Sequence, residues 1–206
     1  MSRQSASSPV ASGSERQARR AGARPSRGYT LAEVVLAIAV LSVGAVGVVG
    51  MQKSVLIGNT QARNLSVANS IAQTWAERLR SDAMAWNAPN QVDDLGETRW
   101  LQAVNTAPGL WVVPTEFPGV GSPDADVVGA DKFAADAAQP SAFCTHFRLT
   151  RLYPTLIRAE IRVFWERSGR PLPNDCANLD VVAVGADPGR FGFVYLTTGL
   201  AQNTAQ

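Results

Sequence analysis

Val34–Gln52 reads VVLAIAVLSVGAVGVVGMQ, nineteen consecutive residues without a charge. As an α-helix rising about 1.5 Å per residue, this stretch spans roughly 29 Å, close to the hydrocarbon thickness of a bilayer. Its Val and Ile content alone favours a strand. A lone strand in lipid would leave its backbone N–H and C=O groups unpaired, so a helix is the expected form. Six arginines (Arg3, Arg16, Arg19, Arg20, Arg24, Arg27) and one acid (Glu15) precede Tyr29, and Lys53 is the first basic residue after the stretch. The positive-inside rule then expects the N-terminus in the cytoplasm and the body outside it.

Charge elsewhere narrows the function. The net charge of +2 comes from the leader, because residues 29–206 hold 13 basic against 16 acidic residues. No Lys/Arg stripe follows and the aromatics do not interleave with basic residues, so no direct nucleic-acid binding is expected. Cys144 and Cys176 are the only cysteines. They form neither a CxxC pair nor a zinc site by themselves, and outside the cytoplasm a disulfide between them is the natural reading.

The junction before the apolar run is unusual. A secretory signal is cut after its apolar region, whereas here a basic leader meets that region through Gly28-Tyr29-Thr30-Leu31-Ala32-Glu33. This hexapeptide resembles the processing signature G-F-T-L-x-E of the type IV pilin superfamily, with Tyr29 in place of Phe. The resemblance implies that a prepilin peptidase cuts after Gly28 and methylates the new amine on Tyr29, with Thr30 and Leu31 completing the processing motif. It also implies a role for Glu33. A carboxylate at the edge of an apolar helix is expensive unless paired. The cationic amine that cleavage creates on a neighbouring subunit would supply that partner and set register during assembly.

The helix is expected to run on to about Ser81. Residues 53–82 lack Pro and contain one Gly, Gly58. Ala68, Ile71, Ala72, Trp75 and Leu79 recur at helical spacing, an apolar stripe suited to packing on a head. Gly44, Gly47 and Gly50 let neighbouring helices approach closely or allow local unwinding during assembly, or are the ordinary glycines of a membrane helix. Residues 83–142 are rich in Pro, Gly, Asp and Ala. They read as a variable, loop-rich region with a short helix around Glu97–Val104 and a loop from Pro114 to Pro140.

Residues 143–206 read as an antiparallel sheet. Phe143–Tyr153 and Leu156–Glu166 are strands joined by a turn at Tyr153-Pro154-Thr155. In the second, Ile157, Ala159, Ile161, Val163 and Trp165 share one face and Arg158, Glu160, Arg162 and Glu166 the other, with Leu156 and Phe164 as exceptions. Asp180–Val184 and Phe191–Thr198 are further strand candidates. The expected architecture is α+β: a leader (1–28) that is removed, an apolar half-helix (29–52), an amphipathic half (53–82), the loop-rich region (83–142) and the sheet (143–206).

No catalytic chemistry is expected. Cys144-x-His146 shares a strand face for structural reasons. Neither a P-loop nor a GxGxxG or GxSxG motif occurs. Asp93-Asp94 and Asp124/Asp126 read as solvated turn carboxylates, although some pilins bind calcium; no metal and no cofactor is assigned.

Glu33-Val34-Val35-Leu36-Ala37, Val40-Leu41-Ser42-Val43-Gly44, Gly47 and Ala76-Glu77-Arg78-Leu79-Arg80 resemble the V-type (PilV-like) minor pilins over about residues 28–82. That resemblance implies a structural subunit of a type IV pilus. Its expected partners are the prepilin peptidase, other minor pilins, the major pilin and a tip adhesin. Its expected places are the inner membrane before assembly and the cell surface afterwards. Pseudopilins of type II secretion share the same N-terminal logic, and a membrane-tethered binding domain that never polymerises is the competing class.

Overall fold

A computed structural model describes residues 28–86, 95–136, 140–173 and 175–202. The chain divides into two compact units at Val49/Gly50. The leader 1–27 and Asp93-Asp94 lie outside the described residues.

A single helix, α1 (Leu31–Met84), crosses the division. In the first unit its residues are exposed throughout. In the second, Ala68, Ile71, Ala72, Trp75, Ala76, Leu79, Asp82 and Ala83 are buried. The five residues of the expected stripe are all among them, and the stripe runs one turn further than expected.

The rest of the second unit is a five-stranded antiparallel sheet. Strands β1 (Trp111–Val112) and β2 (Asp124–Ala125) both pair with β3 (Phe143–Tyr153), which pairs with β4 (Leu156–Glu166), which pairs with β5 (Phe191–Ala201). Pro154 and Thr155 form the two-residue turn between β3 and β4, whose ends pair as Tyr153↔Leu156. Proline fixes the turn's φ and supplies no N–H that the ladder would need.

The alternation in β4 sorts its faces as expected. Ile157, Ala159, Ile161, Val163 and Trp165 join Phe143, Phe147, Leu149 and the α1 stripe in the main core. Trp75 is fully buried in it, edge-on to Trp100 at 5.2 Å between ring centroids. At about 25 cal/mol per Å² of apolar area, such aromatic burial is the main attraction holding α1 to the sheet. Phe164, the exception in the alternation, has its own explanation. It lies in a second, smaller core with Cys144, Leu172, Cys176, Val184 and Phe191 on the opposite face of the sheet.

Three expected elements are corrected. Asp180–Val184 is not a strand: Val181–Ala186 forms a short helix, α3, whose N-cap Asp180 accepts hydrogen bonds from the Val182 and Ala183 N–H groups. The helix near 97–104 falls instead at Ala103–Thr106 (α2), preceded by turns. The reason is Asp82. Its carboxylate reaches over from the last turns of α1 and accepts the N–H groups of Arg99 (2.7 Å), Trp100 (2.8 Å) and Leu101 (3.0 Å). Those three residues are thereby held in a turn around the carboxylate. The stretch 114–140 is likewise not all loop, since β2 lies within it.

Candidate functional site

Gly28, Tyr29 and Thr30 precede α1 in non-helical, exposed backbone, and a Cβ built on Gly28 meets nothing within 4 Å. The helix starts here because Thr30 caps it. Its hydroxyl and carbonyl oxygens both accept from the Glu33 N–H, at 3.3 and 3.0 Å. Thr30-x-x-Glu33 is therefore a helix-start signal as well as part of the processing signature, a coincidence that sequence reading passed over although the S/T-x-x-E pattern was available. Glu33 stands in the first turn, exposed, where the helix dipole favours a negative charge. Leu31 is likewise exposed.

Beyond Glu33, α1 is long and apolar enough to cross a membrane, and the most apolar part of the helix has no buried residue. Val35, Leu36, Ile38, Val40, Leu41, Val43, Val46 and Val49 are all more than half exposed. Gly44, Gly47 and Gly50 have no neighbour within 4 Å of where a Cβ would stand. A soluble domain does not leave such a surface to water.

Other residues singled out from the sequence fall into two places in the second unit. Cys144 and Cys176 are bonded, with Cα atoms 5.5 Å apart and a sequence separation of 32. Cys144 and His146 do share a strand face, but the Cys144 sulfur is part of the bridge, so no thiolate is present to act as a nucleophile. His146 instead faces Arg162, whose guanidinium donates to its Nδ1 at 2.7 Å. The imidazole proton then belongs on Nε2, which has no hydrogen-bond partner among the described residues. Both residues are buried, and no carboxylate pairs with Arg162 among the described residues. Its charge is met by the α3 carbonyl of Val181 at 3.0 Å and by the faces of Trp111, Phe193 and Phe164 at 4.7, 5.9 and 6.0 Å. Gly185 of α3 leaves room for it, since a Cβ there would stand 2.9 Å from Nη1. Burial, then the neighbouring guanidinium, pull the His146 pKa down from 6.5 to about 3.

Asp124 corrects the expectation of solvated turn acids. It is buried, and its Oδ1 accepts the Ser141 hydroxyl and the Cys176 N–H at 3.0 Å. Desolvation outweighs these bonds and raises its pKa. Asp124, Cys144 and Cys176 place ligand-type atoms within 4.8 Å of one another. With both sulfurs bonded to each other, they do not offer a thiolate cage. Asp124 also lines an open cleft of about 530 Å³ with Lys132, Asp175 and Glu116. Lys132 is buried there, 3.2 Å from Asp175 and 3.4 Å from the Ser141 hydroxyl. The cleft is filled with internal ion pairing rather than with convergent unpaired groups. Asp126 does behave as a turn residue, accepting from Val128 and Ala130.

Among known families, the chain matches the model of the prokaryotic N-terminal methylation motif over residues 23–49. No curated protein and no solved structure matches it. The matched residues bracket Gly28–Glu33 and most of the uncharged stretch.

Proposed function

We propose that this chain, type IV pilin-like by its methylation motif, is a minor pilin. It is cut after Gly28, methylated on Tyr29, and built into or onto the tip of a type IV pilus, where it helps prime assembly. The observation that supports this best is one juxtaposition. An accessible Gly28–Thr30 segment leads, through Leu31-Ala32-Glu33, into an uncharged helical stretch that has no buried residue among the described residues. A bilayer covers that surface before assembly, and the corresponding helices of other pilins cover it afterwards. Glu33 then finds the cationic amine that cleavage makes on the next subunit. The partners on this reading are the prepilin peptidase, other minor pilins, the major pilin and a tip adhesin. The pilus would serve adhesion, twitching motility or DNA uptake. A secretion pseudopilin would carry the same motif and helix. The V-type pattern from Glu33 to Gly47 supports the pilus reading over it.

Two measurements test this. Co-expression with a prepilin peptidase should yield a protein whose intact mass corresponds to an N-terminus at Tyr29 bearing one methyl group. An unchanged mass with and without the peptidase would sink the reading. Glu33→Leu should be cleaved as well as the parent. It should also appear at least about tenfold less in sheared filaments, the equivalent of about 1.4 kcal/mol at the assembly step. Normal incorporation of that variant removes the amine-pairing role.

A further inference from the structure

The second unit carries an unusual set of charges along the first turns of its part of α1. Lys53, Leu56, Ile57, Thr60 and Asn64 follow one another at helical spacing, on one stripe of α1. The turn after β4 lies beside this stripe. Arg167, Ser168 and Gly169 share a groove with Leu56, Ile57, Thr60, Gln61 and Asn64. Arg63 and Arg170 share the adjoining groove with Thr60 and Asn64. Arg63, Arg167 and Arg170 are exposed, as is Lys53, and no carboxylate pairs with any of the four among the described residues. The acids nearby are committed elsewhere. Glu166 lies 3.6 Å from Arg190, Asp187 holds the Arg190 N–H, and Asp126 holds its own turn. Between these cations, Leu56 and Ile57 remain 67% and 52% exposed.

Cations around exposed aliphatic side chains form the surface chemistry of a membrane interface: apolar groups for the acyl boundary, guanidinium and ammonium groups for phosphates. The position along the chain fits. Lys53 directly follows the last residue of the uncharged stretch, Gln52, and Thr60 follows Lys53 by about two turns of helix, roughly 10 Å. Basic residues are ordinarily sparse on the trans side of a membrane segment, so an unpaired cluster there calls for a counter-charge.

We infer that Lys53, Arg63, Arg167 and Arg170 form a collar that rests on anionic phospholipid headgroups while the preceding stretch is inserted in the bilayer. This rests on the anchoring part of the proposal above. The collar would hold the head in one orientation at the membrane surface until extraction into a filament breaks the contact.

The test uses the full chain in lipid nanodiscs, with amide hydrogen exchange of Ser168–Arg170 as the readout. Discs containing phosphatidylglycerol should slow that exchange about tenfold relative to purely zwitterionic discs, with the protection lost at high salt, as expected for several cations near an anionic surface. The double variant R63Q/R170Q, which leaves the bond from Arg167 Nε to the Phe191 carbonyl at 2.9 Å intact, should lose most of the difference between the two discs while keeping its thermal unfolding midpoint. Equal exchange of the parent in the two discs overturns the collar even though insertion succeeds. Equal protection from inorganic phosphate in zwitterionic discs, or protection that requires two copies per disc, overturns the lipid as its partner. A chain that fails to enter discs at all sinks the anchoring reading, and the collar with it.

Discussion

Acid should weaken the head steeply, and His146 is the group responsible. Its folded-state pKa lies at about 3 against 6.5 for the free side chain. As pH falls through 6.5 the unfolded chain takes up a proton that the folded chain refuses. A protonated imidazole would face the Arg162 guanidinium at 2.7 Å inside the protein. Stability is therefore full above pH 6.5 and declines from there toward pH 3, by about 1.4 kcal/mol per pH unit and about 4 kcal/mol across the window. His146→Gln keeps an acceptor for Arg162 and does not titrate, so its stability should be flatter over the same range. Glu160, held below the usual carboxylate range by Arg148, adds to the acid loss, while Asp124, raised by burial, works in the opposite sense. Both act equally in parent and variant, so the difference between the two urea-denaturation curves at pH 7 and pH 4 isolates His146. Parallel pH dependence in the two proteins would show that His146 takes up its proton alike in the folded and unfolded chain, and would overturn its burial as the source of the acid loss.

Asp82→Ala should cost about 3–5 kcal/mol, comparable with losing a large core side chain. The carboxylate is buried and serves three N–H groups at once, those of Arg99, Trp100 and Leu101. Alanine leaves all three donors without an acceptor, at about 1–3 kcal/mol for each one that water cannot reach. Trp100 and Leu101 would be released from the core that they share with Trp75 and Leu79. Asp82→Asn retains one acceptor oxygen and should recover part of the loss. The check is the unfolding free energy of the three proteins, together with near-ultraviolet circular dichroism of the Trp75–Trp100 pair. A change below about 1 kcal/mol for Asp82→Ala would mean that the 99–101 turn stands without the carboxylate.

Local patterns carried the main architecture. The alternation from Ile157 to Trp165 and the spacing of Ala68, Ile71, Ala72, Trp75 and Leu79 are repeated signals, and both predicted the faces that are buried. The Gly28–Glu33 signature and the uncharged run after it were likewise contiguous, so the candidate site was legible without the fold. What escaped was set by single residues acting across distance. Asp82 reorganises residues 17 to 19 positions away, and Asp124 binds the Cys176 N–H from 52 positions away. No window of sequence contains both partners. Five apolar-rich residues at 180–184 could not separate strand from helix by period, and the capping Asp180 decided the matter. Arg162 followed the alternation correctly onto the face away from the main core. That face was expected to meet water, but α3 and the bridged loop cover it there.

The order of the elements along the chain sets a timetable for the head. The α1 stripe is complete by Ala83, whereas the three long strands that cover it all come after Ala142. At about 5–20 residues per second, synthesis needs roughly 4–16 s to pass from Ala83 to Glu166. A two-residue-turn hairpin closes in about 1–10 μs once both its strands exist. The wait thus belongs to synthesis and not to the search for contacts. During it, Ile71, Trp75 and Leu79 have no sheet to pack on. Construction runs backwards: the earliest-made segment has a sheet to pack on only after the later-made β3 and β4 exist. A chain that stops before β4 is finished leaves that segment uncovered for good.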